Sequence, residues 1–237
     1  MIAAVINAVT VVAGSVLGLL LKNRISEKYS NAIMHGLALC VALIGINSAL
    51  KSSDTLCVII CMAAGIMLGE LLKIEDRLDS LGDTIKNRTM KGRDSGRFTE
   101  GFMTATLLFC VGSMAVVGSM EAGINHDYTT IIAKSVLDGI SAISFAAAMG
   151  VGVMFSAFGV LLYQGLLTLV FILVGPVIPD AVVAEMTGVG GLLLIGLSIN
   201  MLGIMGEKKL RVGNMLPAVF LPMIYVSVYN WIAGLIG

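Results

Sequence analysis

Charge is scarce in this chain of 237 residues, with Asp, Glu, Lys and Arg making up 13% of it, about half the share found in a soluble domain. That scarcity excludes an ordinary water-facing surface. The 15 basic and 15 acidic residues cancel, so no field of one sign is available to attract nucleic acid or an acidic partner. Histidine is limited to His35 and His126, too few for a His-rich metal or acid–base centre. The four cysteines, Cys40, Cys57, Cys61 and Cys110, all lie in apolar runs. Cys57 and Cys61 share a helix face, but no histidine or further cysteine is spaced to complete a tetrahedral metal site. They read as small packing residues. There is no glycine-rich phosphate loop with its lysine and no recognisable nucleophile–base arrangement. An enzyme is therefore the least favoured class, ATP-driven work is not expected, and neither is a metal or a cofactor.

What the chain has in abundance is apolar surface, 57% of residues, and glycine, 28 of them. Glycine is well tolerated in membrane helices, where it lets backbones approach closely. Apolar stretches long enough to cross ~30 Å of hydrocarbon fall at residues 2–21, 32–50, 55–72, 101–120, 129–149, 151–175, 187–205 and 215–236. The block 129–175 is too long for one helix and about right for two, with Gly150 and Gly152 as the turn. The expected fold is an all-α polytopic membrane protein of about eight transmembrane helices, forming a single transmembrane domain over residues 1–237. The first stretch has no basic residue ahead of it and is followed by Lys22 and Arg24, the reverse of a cleaved leader. It reads as a retained helix.

Charge placement orients the chain. Cytoplasmic loops collect the Lys/Arg excess. With both termini outside, every basic residue except Lys51 and Lys134 lies on an inner connection. Merging the middle block into one helix would throw Lys208, Lys209 and Arg211 outside, so eight crossings, N-out and C-out, is the better arrangement. Residues 73–97 are the one sizeable soluble piece. Ile74, Leu78, Leu81 and Ile85 recur there at helical spacing among Glu75, Asp76, Arg77, Asp79 and Asp83, which predicts a cytoplasmic amphipathic helix along the inner interface. A polar, glycine-bearing linker follows it.

Polar residues inside the spans are the functional candidates. Lys134 and Asp138 stand four apart, on one face of a helix. At 1.5 Å per residue they lie roughly 8 Å and 14 Å below the outer end of their span, which puts Asp138 near the midplane. A charge there costs roughly 2.5–3.5 kcal/mol on insertion scales, so the two are paired, wetted or used. The functional reading makes Asp138 a ligand or carrier for a cation or proton, with Lys134 as gate or counter-charge; the structural reading makes them an ion pair joining helices. Gln164 sits near the centre of the next span, as a substrate ligand or an interhelical hydrogen bond. Gly112-Ser113, Gly118-Ser119 and Gly123 mark either close packing or a broken helix whose exposed backbone dipoles bind ions. Pro217 can begin the last helix, whereas Pro222 is placed to kink it. Asn7, Thr10, Asn47 and Asn200 each bring a small polar group to a different helix. Glu70 and Glu185 lie near helix ends and read as interface residues, and His35 is a secondary relay candidate. Gly14-x-x-x-Gly18 is a packing face for a helix or for a second protomer. The binding candidates are thus Asp138, Lys134, Gln164, Ser113, Gly112, Asn200 and Asn47, and the expected partners are the lipid bilayer, a small solute or ion, and a second copy through glycine-rich faces.

Two patterns extend beyond single helices. Met34-His35-Gly36 with Ile44-Gly45-Ile46-Asn47 matches Met186-Thr187-Gly188 with Ile195-Gly196-Leu197-Ser198-Ile199-Asn200 once two small gaps are allowed. Five crossings separate the copies, which predicts an inverted repeat of helices one to three with six to eight. Several longer strings point to a family. They are Gly101-Phe102 through Phe109-Cys110-Val111-Gly112-Ser113-Met114-Ala115-Val116-Val117-Gly118-Ser119, Lys134-Ser135-Val136-Leu137-Asp138-Gly139-Ile140-Ser141, Leu161-Leu162-Tyr163-Gln164-Gly165, Ala184-Glu185-Met186-Thr187-Gly188-Val189-Gly190-Gly191 and Leu210-Arg211-Val212-Gly213-Asn214-Met215-Leu216-Pro217-Ala218. In these the chain resembles the YqgA-like family of bacterial inner-membrane proteins (domain of unknown function 554). The resemblance runs nearly end to end. It implies a prokaryotic inner-membrane protein and supplies no activity or binding residues. From the residues themselves, the expected function is secondary transport of a small solute or ion by alternating access. A channel is the nearest alternative, and a scaffold with a structural ion pair is the alternative of a different class.

Overall fold

The computed structural model describes residues 2–22, 27–90, 97–111, 113–124, 126–174, 179–206 and 208–236. The elements are α1 (Ile2–Lys22), α2 (Glu27–Ala49), α3 (Thr55–Leu72), α4 (Ile74–Met90), α5 (Phe98–Val111), α6 (Ser113–Ile124), α7 (Thr129–Met149), α8 (Gly152–Val174), α9 (Asp180–Leu202), the 3-10 helix η1 (Val212–Val219) and α10 (Leu221–Ile236). Among the described residues, seven segments are long and apolar enough to cross a membrane: α1, Asn31–Ala49 of α2, α3, α7, Gly152–Leu173 of α8, α9, and Val212–Tyr229 across η1 and α10. The expected fourth span is instead a bent pair. Phe98–Val111 and Met114–Ile124 pass the same test together but lie at 59° to one another. Both readings of the glycines there are met: the span is bent, and Gly118 and Gly123 pack closely on Ile131 and Thr168. The chain is an all-helical membrane protein.

Two boundaries differ from expectation for identifiable reasons. The seventh span was expected from residue 187, yet α9 begins at Asp180 behind Pro179. Glu185 does not end the helix, because its carboxylate is satisfied within the protein. The kink expected at Pro222 is absent. Pro222 is the second residue of α10, where its missing N–H would have no intrahelical partner anyway. The irregularity precedes it, with Pro217 inside η1 and the chain changing from 3-10 to α geometry at Phe220.

Contacts group the chain into two compact units, Met1–Leu39 with Asp76–Pro176, and Cys40–Glu75 with Val177–Gly237. In the first unit α1 and α7 run in the same direction with almost no side chain between them. A Cβ on Gly14 would lie 2.0 Å from the carbonyl oxygen of Gly139, and one on Gly18 would lie 2.2 Å from that of Ile143. The buried face of α1, Ala3, Ala4, Asn7, Ala8, Val11, Gly14, Ser15 and Gly18, follows helical spacing, with small residues at the closest points. Gly14-x-x-x-Gly18 therefore joins helices of one chain. Gly118 of α6 packs on Ile131 of α7, and Gly152 of α8 meets the Phe98 carbonyl at the start of α5. The apolar face of α4 is half-buried against protein. Leu78, Leu81 and Ile85 pack on Phe98, Phe102 and Met103, and Thr99 donates to Asp83 at 2.7 Å. At one end of this unit the Lys22 ammonium lies 2.7 Å from where a Cβ of Gly150 would be. Gly150 itself has φ of 90°, a backbone that side chains disfavour.

The second unit is built on the same economy. Gly65 and Gly69 of α3 lie against Ala218 and the Asn214 carbonyl of η1, where a Cβ would approach to 2.3 Å and 1.8 Å. Gly45 of α2 and Gly191 of α9 cross backbone to backbone. The start of η1 is tied to the α3–α4 junction. The Glu75 N–H donates to Asn214 Oδ1 at 2.7 Å, the Gly213 N–H donates to Glu75 Oε2 at 2.8 Å, and Arg211 pairs with Glu70 at 2.9 Å. At the other end of α3, Asp54 caps its helix by accepting from the Leu56 and Cys57 N–H groups. Glu185 reaches this turn from α9. Its Oε1 accepts from the N–H of Ser53 at 2.9 Å, the hydroxyl of Ser53 at 3.1 Å and the N–H of Asp54 at 3.1 Å, while Ser52 donates to Oε2. Glu185 is 3% exposed; it is a buried clasp, not the interface residue its position near a helix end suggested.

Two outcomes test this packing. Gly14→Ala should cost about 1–3 kcal/mol by overpacking, lowering the temperature at which detergent-purified protein loses monodispersity. Gly36→Ala, which enters open space, should not lower it, and equal losses would contradict the α1–α7 contact. Glu185→Leu removes the shared acceptor of two half-buried N–H groups, those of Ser53 and Asp54, at about 1 kcal/mol. Hydrogen exchange should accelerate in residues 52–57 and stay unchanged in α7.

Candidate functional site

Four polar side chains from three helices of the first unit meet in one place. Lys134 and Asp138 of α7 form an ion pair through Asp138 Oδ2. Asn7 of α1 donates its Nδ2 to the same oxygen at 2.9 Å and to Gln164 Oε1 of α8 at 3.1 Å. Asn7 and Gln164 are 0% exposed, Lys134 4% and Asp138 7%. The ion pair is explained locally, since a residue and its fourth successor share a helix face. The amides arrive through tertiary packing. The Gly14–Gly139 contact brings the preceding two turns of α1 alongside α7, placing Asn7 against Asp138, which immediately precedes Gly139.

The surroundings are polar but locally committed. Thr10 donates to the Asn7 carbonyl at 2.8 Å, Ser135 to that of Ile131 at 2.7 Å and Thr168 to that of Gln164 at 2.8 Å. Such bonds hide a hydroxyl against its own helix. Other groups are not committed in this way. Asn7 Oδ1 and Gln164 Nε2 are buried without a hydrogen-bond partner, as are the hydroxyls of Ser15, Thr106 and Ser119, Glu121 Oε2 and Asn214 Nδ2. All but Asn214 lie in the first unit. A buried polar atom left unmatched costs about 1–3 kcal/mol, and native proteins hold few of them. Two of them, on Asn7 and Gln164, belong to the hydrogen-bonded cluster of one charged pair. Ser119 is toward the α6–α7 end, next to Gly118 on Ile131, while Ser15 and Thr106 are toward the α7–α8 end, beside Gly14 and against Gly159.

The sequence candidates divide clearly. Asp138, Lys134 and Gln164 belong to the cluster. Ser113 is the first residue of α6, and its side chain, like Gly112 as a whole, lies outside the described residues. Asn200 lies outside the cluster and is bonded to the backbone. Its Nδ2 donates to the Leu210 carbonyl at 2.7 Å and its Oδ1 accepts from the Leu210 N–H at 2.8 Å, so its amide braces the connection after α9. Asn47 is exposed on α2. Asn7, read from sequence as one small polar group among several, is the hub of the cluster. Its signal was the small-residue face of α1, which carries Asn7 one turn from Ala3 and two turns from Gly14. Among the described residues no group of three or more His, Cys, Asp or Glu is placed to hold a metal ion.

Comparison with known proteins agrees with this architecture. The chain is 29% identical to the uncharacterized membrane protein YdfK of Bacillus subtilis (strain 168), over 97% of both chains. It is also 29% identical to the uncharacterized protein YqgA of Escherichia coli (strain K12), over 92% of this chain and 93% of the relative. No solved structure is matched. The family described as "Protein of unknown function (DUF554)" matches residues 2–227, and the chain belongs to it.

Proposed function

We propose that this protein is a secondary transporter of a small solute or ion, working by alternating access in the bacterial cytoplasmic membrane with its N-terminus outside. The observation that carries the reading is the buried Lys134–Asp138 pair with two amides whose remaining hydrogen-bonding atoms are unmatched. Ionisable residues inside a span are expensive and mark ion or solute pathways. A pair serving only to join helices would be expected to have its polar neighbours satisfied. The bent α5–α6 span supports the same reading, since interrupted helices form sites and hinges in transporters.

Orientation follows from the basic residues. In the first unit the Lys22 ammonium at Gly150 and the 3.2 Å bond from Arg97 to Asn31 gather basic connections at one end, and such residues favour the cytoplasm. The proposed repeat relates α1, α2 and α3 to α8, α9 and the η1–α10 span. A structural superposition that leaves these triplets unrelated would remove it.

Binding is tested by a thermal-shift screen of the purified protein against ions, amino acids and organic anions. A stabilising ligand should lose its effect in Asp138→Asn and Lys134→Gln, and vesicles holding the wild type should accumulate that ligand. If both substitutions merely lower the melting temperature and every ligand response persists, the pair is structural and the site reading fails.

A further inference from the structure

The two unmatched amide atoms allow a sharper statement about what Asp138 exchanges. This inference rests on the reading of the cluster as a transport site. A metal cation would need converging oxygens, typically six or more for hard ions. Asp138 Oδ2 instead faces an ammonium and an amide N–H, donors that repel a metal. Lys134 already supplies the counter-charge at that oxygen. The set of groups suits a proton.

The amides show how the hydrogen bonding at Asp138 could follow a proton. In the observed arrangement Asn7 Nδ2 donates twice, to Asp138 Oδ2 and to Gln164 Oε1, which is the direction an ionised carboxylate requires. The unused atoms are Asn7 Oδ1 and Gln164 Nε2. If both amides turn over by 180°, Oδ1 and Nε2 take the places of the atoms now bonded. The same two contacts then re-form with reversed polarity: the Asp138 O–H donates to Asn7 Oδ1, and Gln164 Nε2 donates to it as well. The number of hydrogen bonds is two in both states, and no helix needs to move.

We propose that Asp138 is the proton-exchanging group of this protein and that Asn7 and Gln164 form a reversible amide relay that accommodates both of its protonation states. A proton from one aqueous side adds to the carboxylate and gives the carboxylic acid. Lys134 keeps its charge, so the cluster passes from net zero to net +1, and release to the other side restores it. Among the described residues the other ionisable groups on the elements around it are Cys110 of α5, within electrostatic reach of both Lys134 and Asp138, Tyr163 of α8 beyond it, and Glu121 of α6, whose Oε2 is buried and unmatched; α1 presents Asn7, Thr10 and Ser15. The unmatched hydroxyls of Ser119 on one side and of Ser15 and Thr106 on the other are groups that can both donate and accept, as proton access requires.

The test is infrared difference spectroscopy of the full-length protein in lipid, between alkaline and acid buffer. A protonated-carboxyl band should appear on acidification, together with side-chain amide bands of changed frequency. Asp138→Asn should lose the carboxyl band. Gln164→Leu, which leaves the ion pair intact and serves if Asp138→Asn does not fold, should keep the carboxyl band and lose amide intensity. Sodium added at constant pH should move none of these bands. The proposal is overturned if wild type and Asp138→Asn give the same spectrum, if no amide band changes, or if sodium produces the shift. A ligand found in the thermal screen while Asp138 stays silent would overturn the proton assignment and spare the transport reading. Titration of Asp138 with its amide changes, in protein that neither binds a ligand nor speeds proton efflux from pyranine-loaded vesicles, would support the relay and overturn transport.

Discussion

The backbone contact between α1 and α7 sets the geometry of the first unit. Gly14 and Gly18 rest directly on the carbonyls of Gly139 and Ile143, and side chains on neighbouring turns are brought into register as a consequence. With no hydrophobic force driving helices together inside a bilayer, association depends on such close packing and on interhelical hydrogen bonds. Both are present here within three turns. The glycines let the helices touch, and Asn7 then reaches Asp138. A bulkier residue at position 14 would move the amide away from the carboxylate as surely as replacing the amide itself.

The second unit uses the same materials for a different purpose. Glu185 is as deeply buried as Lys134, but its carboxylate receives four hydrogen bonds from the 52–54 turn, with Oε1 bonded by two backbone N–H groups. Charge-assisted bonds of this type are the strong ones. Asn214 likewise spends its Oδ1 on the Glu75 N–H, and Asn200 spends its whole amide on Leu210. These residues fasten connections to helices. Asn214 is half used, its Nδ2 being unmatched, but the cluster at Asp138 differs because two half-used amides bond to each other beside a charged pair.

Much of this was legible in the sequence, and the limits follow from what a sequence records. Apolar runs of bilayer length located the spans, because hydrophobic thickness fixes the length a helix needs. The pairing of Lys134 with Asp138 was readable because it is local. The position of Asn7 was not, since its partners lie 131 and 157 residues away, and a helix face reports its own polarity without naming what it meets. Glu185 was misjudged for a related reason. Nearness to a helix end suggested water, whereas a turn 131 to 133 residues earlier supplies the donors. The α4 stripe of Leu78, Leu81 and Ile85 was readable as an apolar face, but periodicity does not name the α5 phenylalanines it packs on. The bend in the fourth span was one of two readings of its glycines, which permit a break without requiring one.

The two buried carboxylates also differ in when they are neutralised. Asp138 carries its counter-charge one turn away on its own helix, so α7 can enter the bilayer already paired, before α1 has docked against it. An isolated charge would add roughly 2.5–3.5 kcal/mol to that step. Glu185 has no cation on its helix and depends on a turn made much earlier in synthesis. The α2–α3 hairpin must therefore wait in the membrane, with its serine donors turned to water, until α9 arrives. Assembly order is thus written into the spacing of the charges: α7 is self-sufficient at insertion, while α9 completes a structure begun by its predecessors.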